Sequence, residues 1–139
     1  MGIEWEHKDV WRISKGPLFA VTVSRHESRH DDGVGPNRWA VYAYVYPAHP
    51  HFKAFDPEGG MFQDACNGMP IHSYCSYFKV HLDDSGNIGS FQVGADYNHL
   101  HDDAYTWMST KEAAKSVFND AEKLHDWLVA NAEATEASK

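Results

Sequence analysis

Arg38-Trp-Ala-Val-Tyr-Ala-Tyr-Val-Tyr46 alternates without a break, with Trp39, Val41, Ala43 and Val45 on one side and Tyr42, Tyr44 and Tyr46 on the other. Successive side chains of a strand point to opposite faces, so this stretch is a strand with one apolar face and one aromatic, hydroxyl-bearing face. Neither face is simply polar, which predicts cover on both sides of the sheet. Working outward, Leu18-Phe-Ala-Val-Thr-Val-Ser24 is β-branched and apolar, a central strand in composition. Val10-Trp-Arg-Ile13 precedes it as a short first strand, closed by the turn signal Lys15-Gly-Pro17. The polar stretch Arg25–Asn37 is a loop. Pro47 and Pro50 end the Tyr-rich strand, and residues 47–70 read as irregular with one helical turn.

Ile71–Leu82 and Ile88–Ala95 then predict a hairpin about Asp83-Asp-Ser-Gly-Asn87. Ser109-Thr-Lys-Glu112 has the form of a capping box with Ser109 as N-cap. Ala114, Val117, Phe118, Ala121, Leu124 and Leu128 come after it at helical spacing. Together these predict an α+β fold: an antiparallel sheet of four to five strands with one C-terminal amphipathic helix, Ser109–Ala130, packed on it. A single domain over residues 1–139 is expected, with 1–8 and 131–139 frayed.

Nineteen aromatic residues (five Trp, seven Tyr and seven Phe) supply core material for a chain of 139 residues. The net charge of −8 is uneven: residues 1–30 carry +1, residues 31–100 carry −5 and residues 101–139 carry −4. Nucleic-acid binders concentrate Lys and Arg on one face, so direct nucleic-acid binding is not expected, whereas contact with a basic host protein stays open. No apolar run reaches the roughly 18–20 residues that span a bilayer, and the start lacks a signal-peptide pattern. A cytoplasmic location without membrane contact is the resulting expectation. Cys66 and Cys75 lack CxxC spacing and read as free thiols, small buried hydrophobes in a reducing compartment. Walker, GxGxxG and HExxH patterns are missing, which removes the signatures of nucleotide hydrolases and zincins.

Ten histidines stand out. His49 and His51 lie in Pro47-Ala-His-Pro-His51, and His99 and His101 lie in Asn98-His-Leu-His-Asp-Asp103. Pairing Leu82 with Ile88 places Tyr74 opposite Asp96 and His72 opposite Asn98. Opposed residues share a sheet face, so His72, Tyr74, Asp96 and Asn98 are predicted to project together at the hairpin's open end. His99, His101, Asp102 and Asp103 arrive there in the next loop. Imidazole beside carboxylate suits a metal or an acid–base site, and the expected ligand is a divalent metal (zinc or manganese) or a small polar molecule. His72, Asp96, His99 and His101 are the candidate metal ligands. Parity puts Cys75 on the face away from His72, against a cysteine nucleophile.

The ordered motifs resemble a family of small phage and prophage proteins. That family runs from a Gly-Pro turn into an apolar strand, then a Tyr-Val strand ending in Gly-His-Pro. A His-Gly-Gly-Leu-Thr-Tyr segment comes next, then Phe-Asp-x-Ala-His-x-Gly-Asp and a closing helix. Lys15-Gly-Pro-Leu18 and Tyr44-Val-Tyr-Pro-Ala-His-Pro50 stand at the first two places. Ile71-His-Ser-Tyr-Cys-Ser-Tyr77 and Val93-Gly-Ala-Asp-Tyr-Asn-His-Leu-His-Asp-Asp103 stand at the third and fourth, with Ser73 and Tyr74 where the family has two glycines. The resemblance spans residues 15–128 and implies a phage-type accessory or host-directed role, with His49, His72, Asp96, His99 and Asp102 or Asp103 as family positions. It implies no reaction. Two readings result: an accessory protein with a His/Asp site, or a non-enzymatic acidic inhibitor of a host defence system, such as an anti-CRISPR. In the second, Asp31-Asp32, Asp83-Asp84 and Asp102-Asp103 face a basic partner.

Overall fold

The computed structural model of the chain describes residues 6–7, 10–27, 35–97 and 102–137, with the side chains of 6–7 and 133–137 outside that description. Six antiparallel strands form one sheet: β1 (Glu6–His7), β2 (Val10–Lys15), β3 (Phe19–Glu27), β4 (Asn37–Val45), β5 (Tyr77–Leu82) and β6 (Ile88–Asp96). Their order across the sheet is β1-β2-β3-β4-β6-β5. Among the described residues two α-helices accompany the sheet, the short α1 (Asp64–Asn67) and the long α2 (Lys115–Ala137). The fold is α+β: five full strands, a two-residue edge strand and one main helix packed on the sheet.

The alternation read in β4 decides the layering. Trp39, Val41, Ala43 and Val45 are all buried, and they share their face with Val21, Val23, Phe91 and Val93 of the neighbouring strands. Ala114, Val117, Phe118, Ala121, Leu124 and Leu128 come down on that face and are each at most 4% exposed. Trp11 stacks on Trp39 at 5.6 Å, and Phe118 meets both rings edge-on. Residues 46–76 complete this layer, with Phe52 and Phe55 packed on Phe91. Cys66 and Cys75 are free and buried beneath this segment. The neighbouring Cys75 thiol, and then burial, hold the Cys66 thiol well above its usual range.

Three expectations are corrected. Cover on both faces does not occur among the described residues: α2 and the 46–76 segment lie on one side, and the tyrosine side carries no second layer. α2 begins at Lys115 rather than near Ser109; a turn over residues 111–114 precedes it, where the Thr110 hydroxyl accepts from the Ala113 amide at 3.1 Å. The third concerns the hairpin. Leu82 does pair with Ile88, and the Asp83 carboxylate accepts from the Ser85 and Asn87 amides to close the turn. One step on, however, His81 pairs with Ser90, so Gly89 is an extra residue in β6. This bulge reverses the parity of β6 against β5 for the rest of the hairpin. β5 itself starts at Tyr77, and residues 71–76 are irregular.

Candidate functional site

Tyr97 comes directly after β6 with the same parity as Val93 and Ala95, on the helix-covered side, and is 1% exposed. Its amide donates to the Trp39 carbonyl at 2.9 Å, which fixes the ring at the end of the sheet. On α2, Asp120 lies three residues after Val117 and four before Leu124, at the border of the apolar stripe. That spacing turns its carboxylate toward the sheet. The Tyr97 hydroxyl donates to Asp120 Oδ2 at 2.5 Å, the length of a charge-assisted bond. Burial, and then the bond to Asp120, push the Tyr97 ionisation far above the ordinary phenol range, so Tyr97 stays a donor.

His72 lies flat on Tyr97, ring centroids 4.0 Å apart and planes within 14°. Its Nε2 stands 3.0 Å from both carboxylate oxygens of Asp102. An ionised carboxylate only accepts, so Nε2 carries the hydrogen. The other ring nitrogen, Nδ1, looks toward Asp120 Oδ2 at 3.9 Å. Tyr105 closes the side, edge-on to both His72 and Tyr97. Asp102 is held in place by the next turn of chain. This 3₁₀ turn, Asp103–Trp107, is tied to the start of β4, where Gly35 N–H donates to Thr106 Oγ1 and Asn37 Nδ2 donates to the Thr106 carbonyl. Trp39 Nε1 adds a bond to the Met108 carbonyl at 2.9 Å.

His72 is aimed by strained backbone. Ser73 has φ of +62°, and the Tyr74 amide reaches back to the His72 carbonyl at 2.7 Å. That is a γ-turn in the region favouring glycine. A cavity of about 10 Å³ lies beside the cluster, lined by His72, Tyr97, Asp120, Ile71, Val41 and Leu124 among others. It is the size of one water molecule.

Of the residues expected to converge, His72 and Asp102 do so. Asp96 does not: it pairs with Ala40 and projects to the tyrosine side, where its charge raises the Tyr42 ionisation after burial and Tyr77 have done so. The Gly89 bulge is the reason, since without it Asp96 would have stood opposite Tyr74. Tyr74 is 49% exposed, and Asp103 is exposed at the head of its 3₁₀ turn. Asn98, His99 and His101, like Asp31 and Asp32, lie outside the described residues. Sequence reasoning missed Tyr97 and Asp120. The border position of Asp120 on the apolar stripe was the signal for it.

His49 is a different kind of histidine. It is 2% exposed, its Nε2 bonds the Leu128 carbonyl at 2.8 Å, and its Nδ1 accepts from the His51 amide at 3.0 Å. Both nitrogens serve the fold, and burial lowers its proton affinity. No protein-family model, curated protein or solved structure matches the chain. No helix among the described residues is long and apolar enough to cross a membrane.

Proposed function

We propose that the chain is a small accessory protein of the phage type, in which His72 and Asp120, braced by Asp102 and Tyr97, take one small divalent cation. The observation that carries this reading is the size of the space beside the cluster, about 10 Å³. A water or a bare ion fits there and an organic substrate does not. Asp102 orients the imidazole through Nε2, as carboxylates orient metal-binding histidines, and leaves the Nδ1 lone pair toward Asp120. His72 Nδ1 and Asp120 Oδ2, 3.9 Å apart, would be the two protein donors to such an ion. Mixed nitrogen and oxygen donors suit zinc or manganese. No three such groups converge among the described residues, so further ligands would be water or His99 and His101, close to Asp102 in the chain.

Thermal melting of untagged protein with EDTA, Zn²⁺ or Mn²⁺ tests this. A cation that binds only the folded chain adds about 2.7 kcal/mol at one hundred times its Kd. The melting temperature should rise with metal near neutral pH, rise less in mild acid where protons compete for imidazole, and be restored by EDTA. His72→Ala should remove the response. Equal responses in wild type and variant overturn the reading.

The alternative is a non-enzymatic acidic protein that inhibits a host defence system by contacting a basic surface. Asp83 and Asp84 favour it, both exposed at the hairpin tip. Asp102 cannot share that role, because it is 6% exposed and engaged with His72. Binding of this kind should weaken with added salt.

A further inference from the structure

The uncovered side of the sheet holds a groove of about 450 Å³ lined by Val10, Arg12, Thr22, Tyr44, Tyr46 and Ser90. That volume lies within the roughly 300–1,000 Å³ range of small-molecule sites. Thr22 of β3 and Ser90 of β6, each 7% exposed, are the hydroxyl-bearing residues of its lining. Tyr44 of β4 and Tyr46 just after it line the groove as half-buried residues. The Tyr44 hydroxyl ionises less readily than usual, mainly through burial, while the nearby Arg12 charge acts in the opposite direction. Arg12 itself makes a long 3.4 Å bond to the Tyr46 hydroxyl, and among the described side chains no carboxylate pairs with it.

The uncovered side of β2 to β6 is locally basic. The chain carries −8, yet the residues of β2 to β6 that point to this side include Arg12, Arg38 and Lys79 against Asp96 alone. Asp96 stands four residues along the ladder from the Tyr44 pairing position, away from the groove. A guanidinium, two tyrosines and two hydroxyl-bearing residues in one lining call for a planar ring, polar edges and an anion in one small molecule.

We propose that this groove binds a mononucleotide-sized aromatic phosphate, its ring against Tyr44 and Tyr46, its phosphate on Arg12 and its polar edge on Thr22 and Ser90. The site is separate from the His72 cluster, which lies on the other face, and it stands or falls independently of the cation. Arg12 is exposed, so its replacement leaves the fold intact. The experiment is a titration monitored by backbone amide NMR shifts, with AMP as the probe and adenosine and ribose 5-phosphate as its two halves. AMP should give saturable shifts at Val10, Thr22, Tyr44 and Ser90, and each half should bind at least about tenfold more weakly. Arg12→Gln should weaken AMP by about tenfold or more, the loss of a charge-assisted contact. Glu6 is the register partner of Arg12 in β1, and Glu6→Gln, which makes the chain one unit less acidic, should bind AMP at least as tightly as the wild type. Ribose 5-phosphate binding as tightly as AMP overturns the proposal, as does an unchanged affinity in Arg12→Gln or a weaker one in Glu6→Gln. The absence of saturable shifts in the groove at millimolar AMP also overturns it.

Discussion

The two faces of the sheet are made by the same strands and have opposite characters. On the covered face, β-branched and aromatic residues interlock with α2, and Trp39, Val41, Val45, Phe91 and Val93 are all at most 6% exposed. On the other face tyrosines do the work of a layer. Tyr42 and Tyr77 meet at 5.1 Å over Gly94, where a Cβ would come within 2.8 Å of the Tyr42 ring, and Tyr44 meets His81 at 5.8 Å. His81 in turn bonds Gln92 at 2.7 Å. Large amphipathic side chains laid across the pleat bury Ala20, Thr22, Ser90 and Gln92 without a second layer, and their hydroxyls stay in reach of water. Alternating apolar residues and tyrosines therefore do not by themselves require cover on both sides.

The sharpest way to break this contrast is to truncate one ring on each face. Phe118→Ala should cost about 3–5 kcal/mol, because it opens a cavity against Trp11 and Trp39. Tyr44→Ala should cost no more than about 1 kcal/mol, since water already reaches the site. Urea denaturation midpoints measure both. A Tyr44→Ala cost equal to that of Phe118→Ala would mean that the tyrosine face is packed as a core.

A second test separates the two buried-side histidines. His49 is held neutral by burial, so the folded chain refuses a proton that the unfolded chain accepts near pH about 6.5. Stability should then fall as pH drops below that value, and the loss should end once the lower folded pKa is passed. His49→Gln should cost about 1–3 kcal/mol near neutral pH through its disturbed hydrogen bonds and should show a shallower loss in acid. Denaturant melts over a pH series measure this. An unchanged pH slope would show that His49 does not contribute to acid sensitivity.

The smallest effect is expected at the turn that aims His72. A non-glycine residue at positive φ costs about 1–2 kcal/mol, and glycine returns about 0.5–1 kcal/mol of that as chain entropy. Ser73→Gly should thus raise stability by up to about 1 kcal/mol in a urea melt while leaving the metal response of the His72 cluster in place. A loss of stability would show that the Ser73 side chain stabilises the turn by more than the strain costs.

By itself the sequence determined five of the six strands, the main helix, and the apolar faces of β4 and α2. A period of two in Arg38–Tyr46 and a helical period from Ala114 to Leu128 each leave one set of residues that must leave water, and burial enforces that choice along the whole element. It also marked His72 and Asp102 as partners in a site, through chemistry rather than geometry. The rest depended on events that periodicity does not encode. Gly89 inserts one residue into β6, and because the side-chain period is two, that residue sends Asp96 to the tyrosine face. A glycine inside a strand pattern was the visible trace of this bulge. The backbone of 71–76 leaves the ladder, so His72 is placed by a γ-turn and by stacking on Tyr97 instead of by strand parity. Asp120 reaches the site from a helix far along the chain, and only docking of α2 on the sheet brings it to His72 and Tyr97. Local patterns fix which side chains are buried; contacts between segments distant in the chain decide which polar groups meet.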